Sequence, residues 1–172
     1  MIGEPGESVS THGSTREVSV RRLTPVDAAL AARAIAGIKR GAALANEAAE
    51  ADRLCRWLGD PDRVLLVATD TQRPVGFALG YLLDRIDADA QMLCFYEIEV
   101  LASHRRRGIG TRLVEAMKAV ARSRRVIKMW VQTDPANVAA RGLYEHTGAA
   151  RSDAPDEVYT WDAASLKGSD RA

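Results

Sequence analysis

The chain has 172 residues, with 24 lysines and arginines against 23 aspartates and glutamates, which gives a formal net charge of +1. The length favours one compact domain. The near-neutral balance does not support nucleic-acid or membrane binding through overall charge. Two cysteines and three histidines at their spacings indicate neither a disulfide framework nor a zinc site. No apolar run reaches the ~18 residues of a membrane helix, and the N-terminus lacks an apolar signal segment, so we expect a cytoplasmic protein without a metal.

The two ends of the chain differ in composition from the middle. Residues 1–16 hold almost no large apolar side chain and cannot bury enough surface to offset the entropy of ordering, so they are predicted to form a flexible tail. Residues 165–172 are similar in character. A single folded domain is therefore expected over residues 17–164.

Hydrophobic periodicity predicts the elements of this domain in chain order. A strand at 17–23 is followed by a helix from Thr24 and Pro25 to about residue 36, and by a second helix over 46–58. Strands follow at 63–69 and 75–83, separated by a turn at 70–74.

The second half begins with the most strand-like run of the chain, at 92–101. Strict alternation places Leu93, Phe95, Glu97 and Glu99 on one face, and Cys94, Tyr96, Ile98 and Val100 on the other. A helix at 109–122, a strand at 126–133, a helix at 137–146 and a strand at 157–161 complete the order. This succession predicts a mixed α/β layer fold.

The segment RRRGIGT at 105–111 lies between the strong strand and an amphipathic helix. Two glycines allow a sharp turn and close backbone approach, and the following helix presents unpaired N–H groups. Together they predict an anion site suited to phosphate or pyrophosphate. The alternative is a plain strand-to-helix turn with a solvated basic cluster.

A second segment with chemical potential is WVQTDPANVAARGLYEHTG at 130–148. It places Asp134 at a strand end, Asn137 at a helix start and Tyr144 within that helix. Asn137 fits a helix cap, and a cap can also contact a ligand. Tyr144 equally fits a helix residue that packs its ring and exposes its hydroxyl to water.

These two segments resemble the GNAT superfamily of acetyl-CoA-dependent N-acetyltransferases. The superfamily motif Arg/Gln-x-x-Gly-x-Gly/Ala is matched by Arg105, Gly108 and Gly110. The later motif Asn-x-x-Ala-x-x-Leu-Tyr before a glycine is matched by Asn137, Ala140, Leu143, Tyr144 and Gly148. The resemblance implies a single-domain α/β fold with a mixed, splayed central sheet flanked by helices.

The resemblance also implies acetyl-CoA as the coenzyme, with pantetheine between two splayed strands. The implied coenzyme-binding residues are Ile98, Glu99, Val100, Arg105, Arg106, Arg107, Gly108, Ile109, Gly110, Thr111, Asn137 and Tyr144. Acyl transfer to an amine needs a carboxylate to accept a proton, and the leaving thiolate needs a hydrogen bond. The implied catalytic residues are Asp134 as first-choice base, Glu99 as second choice, and Tyr144 beside the thiolate.

Within the superfamily, the chain is most similar to aminoglycoside 3-N-acetyltransferases of the gentamicin-modifying type. This similarity rests on the strand from Tyr96 to Val100, on residues 104–106 and on the strand end at 130–134. It implies a small-molecule acceptor, an antibiotic-resistance role and a homodimer. A polycationic acceptor predicts an acidic pocket, whose candidate residues are Asp84, Glu97, Glu99, Asp134 and Glu157, with Asp87, Asp89, Asp153 and Asp156 nearby in sequence.

Two departures and two alternatives accompany this prediction. Glu99 stands where that group has a small residue, and Pro135 follows Asp134 where that group has an aromatic residue. One alternative keeps the chemistry and changes the acceptor to a protein N-terminus, a lysine or a polyamine. The other is a non-catalytic acyl-CoA-binding sensor on the same fold.

Overall fold

A computed structural model describes residues 18–41 and 45–151 of the chain. The predicted tails, the strand at 157–161 and the acidic candidates Asp153, Asp156 and Glu157 lie outside these residues. Within them, no helix is both long and apolar enough to cross a membrane.

In residues 18–41 and 45–151, five strands form one sheet in the order β1-β2-β3-β4-β5. The strands are β1 (Ser19–Arg22), β2 (Arg63–Asp70), β3 (Arg73–Asp84), β4 (Gln91–Val100) and β5 (Val126–Trp130). The first four pair antiparallel, and β4 pairs with β5 in parallel. The described part of the chain is therefore a mixed α/β domain, as the alternation of elements predicts.

In the same part of the chain, four α-helices cover the two faces of this sheet. They are α1 (Ala28–Ala34), α2 (Glu47–Leu58), α3 (Ile109–Ser123) and α4 (Val138–His146). A π-helical segment, Ile35–Arg40, continues α1 and ends at Gly41 in the left-handed region. The sequence predicts α2 and α4 closely because each begins at an asparagine cap, whose side chain accepts an N–H three residues on.

The sheet separates two apolar cores. On one face, Leu93 and Phe95 of β4 pack with Ile109, Leu113 and Met117 of α3. On the other face, strand residues pack against α1 and α2 in a cluster that includes Leu65, Val67, Phe77, Leu54 and Leu58. One face of β4 therefore packs toward α3 and the other toward α1 and α2, so the face on which a β4 residue lies determines its contacts.

A β-bulge in β4 changes the facing that strict alternation predicts. Leu79 of β3 pairs with Glu97, but Gly80 pairs with Phe95, which leaves Tyr96 as an extra residue. Ile98 and Val100 consequently join Leu93 and Phe95 on the α3 face, where they contact the same core.

The bulge places the carboxylates on the opposite face from the predicted one. Glu97 and Glu99 pair across β3 with Leu79 and Phe77, which belong to the core beneath α1 and α2. Cys94 pairs with Tyr81 and lies on this same face. The predictions that Glu97 and Glu99 share a face with Phe95, and that Cys94 faces away from them, are both wrong.

The parallel pairing of β4 and β5 is short. It joins residues 91–94 of β4 to Val126–Trp130 and then stops, while β4 continues to Val100. The strand predicted at 126–133 thus ends at Trp130. The half of β4 after Cys94 has no strand beside it on the β5 side among the described residues, which leaves the open edge that a splayed sheet requires.

Candidate active site

The loop between β4 and α3 has the backbone geometry of an anion site. Arg106 and Gly108 have φ angles of 62° and 75°, both in the left-handed region. No side chain caps α3, and its first helical hydrogen bond runs from the Arg112 N–H to the Gly108 carbonyl at 3.0 Å. The N–H groups of residues 109–111 therefore precede the helical hydrogen bonds, at the positive end of the helix dipole.

The two glycines of this loop have different structural roles. A Cβ at Gly108 would meet nothing within 4 Å, so the positive φ alone accounts for glycine there. A Cβ at Gly110 would lie 3.2 Å from Cδ2 of Leu143. Gly110 therefore lets α4 approach α3 closely, whereas the sequence suggested close approach of a ligand at both glycines.

Two of the arginines around the loop donate hydrogen bonds to backbone carbonyls, and two others do not. Arg105 donates from Nε to the Val100 carbonyl at 3.1 Å, and Arg112 donates to the Val18 carbonyl at 2.6 Å. Arg107 lies 3.9 Å from the buried carboxylate of Asp70, and Arg106 is exposed. The loop is thus fixed to the sheet by Arg105, while Arg106 and Arg107 reach solvent beside the unpaired N–H groups.

Tyr144 stands beside the open edge of β4. Its ring packs edge-on against Phe95, with 6.2 Å between the centroids. Burial raises the pKa of its hydroxyl, which therefore stays protonated at neutral pH. The hydroxyl makes no hydrogen bond to any described residue, so it is free to donate one to a ligand.

The carboxylates of β4 form a compact charged cluster with one lysine. The ammonium of Lys39, from the π-helical segment, lies 2.6 Å from both carboxylate oxygens of Glu97. The pKa of Glu99 is raised, first by burial, then by a hydrogen bond with Glu97, and then by repulsion from the Glu97 charge. The charges of Lys39 and Arg105 oppose this rise. Glu99 is therefore the carboxylate of this cluster that is poised to take up a proton.

Asp134 and Asn137 follow the end of β5, in the turn that leads into α4. The exposed carboxylate of Asp134 accepts the Ala136 N–H at 2.7 Å, and its carbonyl accepts the Asn137 N–H. The Asn137 side chain accepts the Ala140 N–H at 3.1 Å as the cap of α4. Both side chains thus shape the turn that starts α4, and the amide –NH₂ of Asn137 has no partner among the described residues.

The acidic residues before β4 do not join this cluster. Asp84 pairs with Gln91, which precedes Glu97 by six residues, or about 20 Å along a strand. Asp87 and Asp89 form ion pairs with Arg85 and Arg125. A cavity of about 560 Å³ lies at this far end of β4 and is lined by Asp84, Asp89 and Arg124 among others. The structure therefore separates these aspartates from the Glu97–Glu99 pair along β4.

The structure also adds Lys39 to the site, a residue that no sequence motif singles out. Lys39 is 58 positions from Glu97, and no local pattern links the two. The only sequence signal is that a lysine follows an alanine-rich helix near Gly41. No group of three or more potential metal ligands occurs in the described part of the chain.

Comparison with known proteins identifies this arrangement. The acetyltransferase (GNAT) family model matches residues 36–149, two thirds of the chain. The chain belongs to the GNAT acetyltransferase family. Members of this family use acetyl-CoA, and no curated protein matches the sequence significantly.

Solved structures share the GNAT fold at low sequence identity. An aminoglycoside acetyltransferase from an uncultured soil metagenomic sample, in complex with sisomicin, is 19% identical, with a TM-score of 0.68 over 84% of this chain and 97% of its own. A ribosomal-protein-alanine N-acetyltransferase from Brucella melitensis is 23% identical, with a TM-score of 0.64 over 84% and 100%. Aminoglycoside N-acetyltransferase AAC(6')-Iy in complex with CoA is 16% identical, with a TM-score of 0.66 over 85% and 94%.

The GNAT assignment can be tested against the chemistry of the residues present. Acetyl-CoA carries a polyanionic pyrophosphate, and the α3 start offers unpaired N–H groups beside two exposed arginines. Its pantetheine arm carries amides, and the second half of β4 offers an unpaired strand edge. The residues present therefore fit the coenzyme of the family.

Proposed function

We propose that this GNAT protein transfers the acetyl group of acetyl-CoA to a cationic amine, and that the acceptor is an amino group of an aminoglycoside, the 3-amino group by motif similarity. The observation that carries the proposal is the Glu97–Glu99 pair beside the open edge of β4. The pair already holds an ammonium, that of Lys39, on both oxygens of Glu97. A site built this way suits an amine that arrives charged and must lose a proton.

The coenzyme is assigned to the loop at 105–111 and to the open edge of β4. The N–H groups of Ile109, Gly110 and Thr111 would bind the pyrophosphate, with Arg106 and Arg107 adding charge. The backbone of residues 98–100 would hydrogen-bond the pantetheine arm, and the Asn137 amide would contact it from α4. Acetyl-CoA supplies, when bound, an acetyl group activated as a thioester.

In the proposed mechanism, Glu99 removes the proton from the acceptor ammonium, directly or through one water. Lys39 forms an ion pair with Glu97, and Glu97 in turn favours the protonated form of Glu99 once the proton has moved. Tyr144 donates its hydroxyl proton or a hydrogen bond to the departing thiolate, since that hydroxyl has no other partner among the described residues. No cysteine nucleophile is required for direct transfer.

Glu99 is preferred to Asp134 as the base for a physical reason. A general base works best when its pKa lies near the working pH, and burial beside Glu97 moves the pKa of Glu99 upward. Asp134 is exposed, and its carboxylate already accepts the Ala136 N–H. This hydrogen bond holds the Asp134 carboxylate in the turn that starts α4. The proposal therefore reverses the order of preference that the motif alone gives.

Two observations support an aminoglycoside as the acceptor. The sequence motifs around Tyr96 and Asp134 are similar to those of aminoglycoside 3-N-acetyltransferases. In addition, aminoglycoside acetyltransferases are among the solved structures of the same fold. A protein N-terminus is the second candidate, because a ribosomal-protein-alanine acetyltransferase also shares the fold.

Thiol release from acetyl-CoA tests this function directly. We expect release that depends on gentamicin or kanamycin, and a monoacetylated product whose position is read by NMR. Spermidine and a peptide with an N-terminal alanine serve as competing acceptors in the same assay. Thiol release with the peptide and none with either aminoglycoside would refute the aminoglycoside assignment. If none of the tested amines causes thiol release, the transferase function itself is refuted.

A further inference from the structure

The bulge of β4 presents one aromatic ring to solvent beside the carboxylate pair. Tyr96 is the extra residue of the bulge, and it has no partner on β3. Its side chain is 63% exposed, although its neighbour Phe95 is fully buried. Bulges often re-aim a side chain next to an active site. Tyr96 therefore lies at a backbone irregularity with most of its surface open to solvent.

Other aromatic rings hold Tyr96 in place. The Tyr96 ring meets Tyr81 of β3 edge-on at 5.6 Å, and Tyr81 meets Trp57 of α2 edge-on at 6.2 Å. The guanidinium of Arg63 lies over Trp57 at 5.5 Å from the ring centroid. This row from α2 to β4, here called the aromatic row, supports Tyr96 from one side and leaves its outer surface open. A ring fixed in this way binds a flat partner without a large loss of side-chain freedom.

The outer end of the aromatic row lies beside the acidic cluster. Tyr96 directly precedes Glu97 in the chain, and the Lys39 ammonium interacts electrostatically with both side chains. The neighbouring surface therefore combines an exposed aromatic ring with carboxylates. An amino sugar matches both features, because its ring has an apolar C–H face and its ammonium is attracted to carboxylates and to aromatic faces.

We infer that Tyr96 is a stacking platform for a saccharide ring of the acceptor, held so that an amino group on that ring reaches Glu97 and Glu99. The inference rests on the proposed function and adds a specificity-determining residue to it. A linear polyamine satisfies the carboxylates and has no ring for Tyr96. The platform therefore discriminates between acceptors of equal charge by shape, which the acidic cluster alone cannot do.

Steady-state kinetics of thiol release with two acceptors test this inference. In Tyr96→Ala, we expect KM for kanamycin to rise about 2- to 13-fold, the range of one aromatic contact, while KM for spermidine changes less than twofold. Tyr96→Phe keeps the ring and restores the wild-type KM for kanamycin. Tyr96→Gln, which lacks a ring but keeps a long polar side chain, behaves like Tyr96→Ala and guards against a folding defect specific to alanine.

The outcomes separate this inference from the proposed function. An unchanged KM for kanamycin in Tyr96→Ala and Tyr96→Gln, or an equal rise with spermidine, overturns the stacking role and leaves the transferase intact. Turnover of spermidine without kanamycin by the wild-type protein overturns the stacking role together with the aminoglycoside assignment, and leaves the transfer of acetyl to a cationic amine intact. A wild-type protein that acetylates neither acceptor overturns the proposed function, and the stacking role falls with it.

Discussion

The left-handed backbone at Gly108 gives the most quantitative prediction about the coenzyme loop. Gly108 has φ of 75°, and a Cβ there would contact nothing within 4 Å. Gly108→Ala therefore adds backbone strain without a clash, at about 1–2 kcal/mol for an L-residue in this region. The loop bearing alanine either keeps this conformation under strain or relaxes and must be restored when the coenzyme binds.

The two responses divide the same free energy. Strain that persists in the free protein lowers the free energy of unfolding, and strain relieved by relaxation weakens binding instead. The loss of unfolding free energy plus the loss of CoA binding free energy should therefore total about 1–2 kcal/mol. If the loop relaxes fully, CoA binds about 5- to 30-fold more weakly.

Calorimetric titration with CoA and urea unfolding measure the two quantities. Gly142→Ala is a matched control, because that glycine lies on α4 with open space around it and no positive φ. It should leave CoA affinity unchanged and stabilise α4 slightly. A summed loss below about 0.5 kcal/mol for Gly108→Ala would refute the strain argument. A loss confined to stability would show that the loop keeps its left-handed conformation without the coenzyme.

Three further predictions concern the site. Tyr144→Phe should lower kcat by about 10²-fold or more and keep the free energy of unfolding within about 0.5 kcal/mol of wild type. The stability is kept because the ring contact with Phe95 stays and the lost hydroxyl has no partner among the described residues. A loss in stability that matches the loss in kcat would contradict this. Lys39→Met should move the acidic limb of the pH profile of kcat/KM to higher pH, because the Lys39 charge lowers the pKa of Glu99. Lys39→Arg should move this limb back. An unmoved limb would show that Lys39 does not affect the pKa of the base. Glu99→Gln should raise the free energy of unfolding relative to wild type at pH 8 and not in acid. The reason is that a carboxyl with a raised folded-state pKa contributes stability that is lost as pH rises through that pKa. An equal difference at both pH values would refute the raised pKa.

Local patterns were sufficient to predict much of the fold. The asparagine caps at Asn46 and Asn137 mark the starts of α2 and α4, and the apolar stripe over 109–122 marks α3. The switch from a two-residue to a helical period after residue 101 locates the loop. These signals are local because caps and amphipathic faces depend on residues within a few positions of one another.

The features that local patterns could not predict depend on contacts distant in sequence. The run MLCFYEIEVL alternates without interruption, so the bulge at Tyr96 arises from pairing with β3 and is invisible in β4 itself. Lys39 reaches Glu97 only because a π-helical segment follows α1. The early end of β5 at Trp130 likewise reflects divergence from β4. The sequence thus located the carboxylates but assigned them to the wrong face.

The central claim is that the β4 carboxylate Glu99 takes the acceptor proton, and one comparison tests it most directly. Glu99→Gln and Asp134→Asn are assayed side by side for kcat with an amine acceptor and for CoA affinity. The account predicts that Glu99→Gln lowers kcat by about 10²- to 10⁴-fold with CoA affinity within twofold of wild type, whereas Asp134→Asn lowers kcat by less than about tenfold. A Glu99→Gln protein with wild-type kcat, beside an inactive Asp134→Asn protein, would contradict it and assign the base to the end of β5.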